Sequence, residues 1–197
     1  MKITSAEFET SSPGIEACPD WALPEFAFIG RSNVGKSSLL NMLSGRKGLA
    51  KVSSTPGATQ LINFFRMNGS WALVDLPGYG YSKTPKSIRD GFQSAVSGYM
   101  TNREQLRCIF VLIDSRHSPQ KIDLRFCEWL ANNNLPFVLG FTKADKLKAG
   151  KVKSNVSAFL VALSEYCDGE PRTFVTSMKT QAGRSEVLGF IDEALRA

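Results

Sequence analysis

"EFAFIGRSNVGKSSLLNMLSG", residues 25–45, decides the fold of this 197-residue chain. It opens on "EFAFIG" (25–30), an apolar run of the kind found in strands buried on both faces. It closes on Leu39, Leu40 and Leu43 at helical spacing, with Gly45 as a C-terminal stop. Between the two, "GRSNVGKSS" fits G-x-x-x-x-G-K-[ST] at Gly30, Gly35, Lys36 and Ser37. Glycines there let backbone N–H groups converge, and the helix N-terminus adds partial positive charge, so the junction is suited to phosphate. Lys36 would bridge β- and γ-phosphates, and the Ser37 hydroxyl would ligate Mg2+. The alternative, a glycine-rich turn with a chance lysine, is disfavoured by the strand before it and the helix after it.

Outward from this junction the alternation continues. "LINFFRM" (61–67) and "WALVD" (71–75) read as strands joined by Asn68-Gly69-Ser70, a hairpin signal because Asn-Gly tolerates positive φ. "RCIFVLID" (107–114) and "PFVLGFT" (136–142) are continuous apolar runs, as parallel strands covered on both faces should be. Ile122, Phe126, Trp129 and Leu130 share a helical face between them. A helix over about Val156–Tyr166, a strand "TFVTS" (173–177) and a closing helix lined by Val187, Ile191 and Leu195 follow. This order predicts a three-layer α/β P-loop NTPase fold, with a mostly parallel six-stranded sheet and one antiparallel edge strand. Residues 1–21 read as a polar N-terminal extension, partly ordered against the sheet, and 22–197 as one domain without repeats or linkers.

Composition narrows the class. With 43% hydrophobic and 21% charged residues the chain is an ordinary globular protein. No apolar run approaches the roughly 18 residues of a membrane span, and "MKITSAEFET" lacks a signal-peptide apolar segment, so a cytoplasmic location without membrane contact is expected. The four cysteines form no C-x-x-C and are expected to be reduced and structural. A net charge of +6 suits a polyanionic partner without requiring one.

A second stretch, "DLPGYGYSK" (75–83), ends a buried strand on a carboxylate. Asp75 is placed like a Walker-B acid holding Mg2+ through water, and Gly78 completes D-x-x-G, where a flexible backbone N–H can reach a γ-phosphate. "TKAD" (142–145) ends another strand: Lys143 would lie along a base and the Asp145 carboxylate would accept two N–H groups of guanine. Adenine has no matching donor pair, a difference of about 1–3 kcal/mol by analogy with bidentate base readout. "TSM" (176–178) could supply a backbone N–H to the guanine oxygen. Four motifs at four strand ends converge where α/β sheets bind ligands. The long loop "RKGLAKVSSTPGATQ" (46–60) should hold a threonine that closes on Mg2+ and γ-phosphate. Thr59 is preferred to Thr55, because Pro56-Gly57 places a hinge before it.

In chain order, "GRSNVGKSSLLN", "PGATQLINFF", "DLPGYGY", "DSRHSP", "FTKADKL" and "TSM" resemble the EngB family of P-loop GTPases, in the Era/EngA/TrmE branch, over about residues 22–197. Thr142 replaces the usual Asn of the guanine box, a departure that EngB-like proteins share. A single domain over these residues is expected, which argues against EngA, with its two G domains, and Era, with its RNA-binding KH module. The resemblance implies a bacterial GTPase of large (50S) ribosomal subunit assembly, acting on its precursor or rRNA and described by effects on cell division and septation. It implies GTP/GDP contacts from Gly30, Arg31, Ser32, Asn33, Val34, Gly35, Lys36 and Ser37. Further contacts would come from Gly57, Ala58, Thr59, Gln60 and Leu61, from Asp75, Leu76, Pro77 and Gly78, from Thr142, Lys143, Ala144 and Asp145, and from Thr176, Ser177 and Met178. Ser37, Thr59 and (through water) Asp75 would hold Mg2+; Lys36, Asn33 and Thr59 would act in catalysis.

Two readings of Asn33 stand beside each other. Potassium-stimulated relatives carry Asn here, where its amide oxygen helps hold a K+ that stabilises charge as an arginine finger does; alternatively, Asn simply tolerates the loop's backbone angles. Where Ras-like enzymes carry a water-positioning Gln, this chain has Tyr79, so unaided hydrolysis is expected to be slow, with Tyr79 packing by its ring. Arg46, Lys47, Lys51, Lys83, Lys86 and Arg89 lie in segments that would respond to nucleotide, and either contact RNA phosphates or are ordinary solvated charges. His117 is expected to make loop hydrogen bonds or touch RNA, without a catalytic part. The chain is expected to be monomeric. Two other readings are a GTP-dependent protein scaffold of the division machinery and a P-loop ATPase or small-molecule kinase, which "TKAD" followed by "TSM" disfavours.

Overall fold

The structure, a computed structural model, describes residues 1–50, 61–80 and 86–197, with the backbone alone for 86–93. In chain order the strands are β1 (Ala6–Ser12), β2 (Glu25–Gly30), β3 (Ile62–Met67), β4 (Trp71–Asp75), β5 (Leu106–Asp114), β6 (Phe137–Thr142) and β7 (Thr173–Val175). The helices are α1 (Lys36–Ser44), α2 (Lys86–Asn102), α3 (Lys121–Asn132), α4 (Ala149–Leu163) and α5 (Arg184–Arg196). One sheet runs β1-β3-β4-β2-β5-β6-β7. β4, β2, β5, β6 and β7 pair in parallel, while β3 is antiparallel to both β4 and β1.

The period of two along each strand divides the core into two layers. Phe26 and Phe28 of β2, with Cys108, Phe110 and Leu112 of β5, face α1 and α5; Phe28 stacks on Phe110 at 4.5 Å. Ala27 and Ile29, with Ile109, Val111 and Ile113, join the opposite layer, where Leu124, Cys127 and Leu130 of α3 and Phe159 of α4 pack. A strand apolar on both faces must be roofed twice, which is the three-layer arrangement expected. From β2 the chain crosses to β3 and β4 on one side and then to β5 on the other, so the carboxyl end of β2 opens at the point where the winding reverses.

Some boundaries differ from expectation. The sheet has seven strands rather than six, because residues 6–12 of the N-terminal extension pair with β3. Asn68 anchors this arm: its side-chain oxygen accepts from the Thr4 amide at 2.7 Å and its amide nitrogen donates to Lys2 C=O at 2.8 Å. Asn68 (φ 51°) and Gly69 (φ 66°) make the positive-φ hairpin turn. α4 begins at Ala149 rather than near Val156, since its early turns bury Val152 and Asn155 but otherwise carry polar residues. β7 stops at Val175, and Thr176 and Ser177 turn away. All four cysteines are free, and burial pushes the Cys108 thiol up to about 12.

At the amino ends of the strands, Glu25 is wholly buried yet fully paired. Trp21 Nε1 donates to it at 2.7 Å, the Tyr99 hydroxyl at 2.7 Å and Arg103 Nη2 at 2.6 Å, and Arg103 also donates to Pro19 C=O at 2.8 Å. These contacts pin the far end of α2 and the arm before β2 to the sheet. Removing one partner of a buried ion pair leaves the other charge uncompensated, which outweighs the desolvation saved. Glu25→Gln should therefore lower the unfolding free energy by about 3 kcal/mol in urea melts; an unchanged midpoint would mean that Arg103 finds water instead.

Candidate functional site

The loop from Gly30 to Ser37 links β2 to α1. Gly35 caps the helix at φ 105°, a conformation that costs an L side chain roughly 1–2 kcal/mol, and no side chain caps the first turn. The leading N–H groups of α1 are therefore free of intrahelical partners. Asn33 is also left-handed, at φ 63°, so the loop does use asparagine's backbone tolerance.

This loop is braced from the neighbouring strand ends. The Thr142 hydroxyl, at the end of β6, donates to Val34 C=O at 2.6 Å. Fixing that carbonyl turns the Gly35 N–H of the same planar peptide the other way. Lys143 extends past Gly35, and its ammonium donates to Asn33 C=O and to Asp114 Oδ2 at 2.8 Å. Asp114 ends β5 and also receives Arg116 at 2.9 and 2.8 Å. Burial pushes the Asp114 carboxyl upward, but Arg116 and Lys143 outweigh it and hold the group well below the usual carboxylate range.

At the end of β4, Asp75 is only 3% exposed and forms an ion pair with Lys36 Nζ. Both charges thus lie at one spot beneath the loop. Gly78 packs so closely on it that a Cβ there would sit 2.6 Å from Gly30 C=O, so no other residue fits without moving the backbone. Leu76 and Val34 bury their side chains in the core, leaving only backbone for a ligand. Leu61 is exposed just before β3. Gly57, Ala58, Thr59 and Gln60, together with Lys51 and Lys83, lie outside the described residues.

Asp145 is oriented by the Ser177 hydroxyl, which donates to Oδ1 at 2.8 Å; that hydrogen bond holds its carboxyl below the ordinary value. Ala144 donates its amide to Thr176 C=O at 3.2 Å, drawing the two loops together. The amides of Thr176 and Ser177 already donate to Phe141 and Ala182 carbonyls, whereas Met178 N–H makes no hydrogen bond among the described residues. Of the "TSM" amides, Met178's is the one left for a ligand oxygen.

A family profile described as "50S ribosome-binding GTPase" matches residues 25–143. "Probable GTP-binding protein EngB" of Bacteroides fragilis is 54% identical over 192 residues, covering 98% of this chain and 96% of that protein. The protein of the same name from Flavobacterium psychrophilum is 53% identical over 194 residues, covering 98% and 95%. The chain belongs to the EngB family of P-loop GTPases. As an EngB-family member it binds guanine nucleotide and hydrolyses GTP to GDP and phosphate. A crystal structure of a probable GTP-binding protein engB superposes with a TM-score of 0.66 at 22% identity, over 87% of this chain and 98% of that one. A structure of Era in complex with MgGDPNP and nucleotides 1506–1542 of 16S ribosomal RNA also scores 0.66, at 22% identity, over 86% and 55%. At such identities these two establish the fold alone.

The structure also brings in residues that sequence reasoning missed. Asp114, the acid of "DSRHSP", ends β5 as Asp75 ends β4, and a strand ending on an acid is the sequence signal that marks it. Ser177 acts on Asp145 through its side chain, where only a backbone contribution was expected. His117 donates its backbone amide to Asp114 C=O at 3.2 Å, and its half-exposed ring faces Asp114 Oδ2 at 3.9 Å.

Thr142→Val keeps the shape of the side chain and deletes the donor to Val34. GDP affinity should fall about tenfold, equivalent to ~1.4 kcal/mol, measured by fluorescent-nucleotide titration. Unchanged affinity would show that the loop holds its form without this brace.

Proposed function

We propose that this EngB-family GTPase is a cytoplasmic, monomeric switch in assembly of the large (50S) ribosomal subunit, engaging its precursor or rRNA when GTP is bound, with consequences for cell division and septation. The observation that carries the nucleotide half of this reading is the cross-linking of the phosphate loop to the guanine box through Thr142 and Lys143. The ribosomal half is supported by the family's description and by a net charge of +6, which favours a phosphate backbone. Arg46 and Lys47 are exposed just past the C-terminal end of α1 and suit such contacts. The G domain is taken as residues 22–197, with residues 1–21 an added arm.

In this reading the amides of the Gly30–Ser37 loop cradle the phosphates and Lys36 leaves Asp75 for β- and γ-oxygens. Asp145 reads the guanine N–H pair, Met178 N–H meets the guanine oxygen, and Gly78 N–H meets the γ-phosphate. Mg2+ fits the hard oxygens of the Ser37 hydroxyl and a buried Asp75 carboxylate already facing a cation; Thr59, the further ligand expected from the sequence, lies outside the described residues. When bound, the ion neutralises charge on the phosphates. Hydrolysis is slow without an activator, because Tyr79 follows Gly78 and is engaged elsewhere, its hydroxyl on Asp123 and its ring on Phe126. K+ would be held in part by the Asn33 amide oxygen; turnover should then be faster in KCl than in NaCl, and equal rates would remove the ion from the scheme.

Co-sedimentation with 50S subunits tests the whole. Binding should appear with a non-hydrolysable GTP analogue, weaken with GDP and fall steeply with salt. No 50S binding in either nucleotide state would favour the alternative, a protein scaffold of the division machinery.

A further inference from the structure

Asp123, in the first turn of α3, is a carboxylate 2% exposed to solvent, and neither of its oxygens serves α3. Oδ1 accepts the Tyr79 hydroxyl at 2.9 Å; Oδ2 faces Arg31 Nε at 3.6 Å. One side chain therefore holds the phosphate loop and the D-x-x-G segment at once. Arg31 and Tyr79 also pair as a parallel bridge that prolongs β2 and β4 beyond their ends. The Tyr79 ring lies against Phe126 at 4.4 Å, with 25° between planes. Stacking fixes the plane of the ring but lets it slide; the hydroxyl on Asp123 fixes its depth. Gly78 is one residue away, about 3.8 Å between Cα atoms, and is wedged on Gly30 and Ser32. Where Tyr79 is held, Gly78 has little room to leave the loop.

We propose that Asp123 is a positioning residue for the γ-phosphate contact: through Tyr79 and Arg31 it holds Gly78 against the phosphate loop, so that affinity for GTP depends on it and affinity for GDP does not. This rests on the reading of Gly78 as the group that meets the γ-phosphate. A merely structural hydrogen bond predicts something different, a loss of thermal stability with both nucleotides affected alike or not at all.

The test titrates full-length wild type, Tyr79→Phe, Asp123→Ala and Asp123→Asn with fluorescent GDP and with a fluorescent non-hydrolysable GTP analogue, alongside thermal melts. Tyr79→Phe keeps the stacked ring and removes only the hydroxyl. It and Asp123→Ala should weaken the GTP analogue about fivefold while GDP stays within about twofold, the size expected for one lost hydrogen bond. Asp123→Asn, which keeps an acceptor oxygen for Tyr79, should recover most of the loss. An unchanged ratio of GTP-analogue to GDP affinity in Tyr79→Phe would overturn the proposal, whatever happens to the melting temperature. A wild type that binds GDP but gains nothing from a γ-phosphate would instead remove the reading of Gly78, and the proposal with it.

Discussion

A threonine hydroxyl on the Val34 carbonyl, and beside it a lysine ammonium shared between the Asn33 carbonyl and Asp114, hold the phosphate loop to the ends of β5 and β6. Two consecutive residues of one strand end thus set the shape of a loop more than a hundred residues earlier in the chain. The neutral bond is short and buried, and its loss would leave a carbonyl without a donor, about 1–3 kcal/mol. The charged one is anchored by a carboxylate that Arg116 also neutralises, so Lys143 can cross the loop without exposing an unpaired charge. In the proposed reading, the distance between Asp145 and the Gly30–Ser37 loop follows from these contacts. A rigid ligand carrying a base at one end and phosphates at the other can be read only if they hold.

Charge is handled differently beneath the loop. Lys36 and Asp75 are both largely buried, and each is tolerable there because the other is present. In the proposed reading, phosphate oxygens would compete with Asp75 for Lys36, and Asp75 would help hold a divalent cation that supplies positive charge to the phosphates. An exchange of partners between buried charges avoids exposing either one during binding. Gly78 closes the same corner by steric fit rather than charge.

How much of this could be read from residues alone follows from the range of each interaction. The central strands were legible because their neighbours along the chain alternate between two apolar layers, and the hairpin because Asn68-Gly69 carries its turn geometry locally. The phosphate loop needed only its own glycines and the strand and helix beside it. β1 was not read as a strand: "AEFETSS" is an edge, with one exposed face, and its pairing with β3 spans more than fifty residues. Asp123 gave no sign either, because its partners lie 44 and 92 positions away and nothing in its helix marks it. The packing of the Tyr79 ring was legible, and Phe126 receives it, but the partner of its hydroxyl, Asp123, lies too far along the chain to be read locally.

What most directly tests the account is whether the two ends of the site select one base. Isothermal calorimetry on the purified full-length chain, with GDP and ADP in the same magnesium buffer, measures it. The braced Asp145 and the phosphate loop together require GDP to bind at least about fivefold more tightly than ADP, the lower end for a matched donor pair against an unmatched one. Equal affinities would mean that the strand ends form a phosphate site without a base reader, and the arrangement described here would be contradicted at its centre.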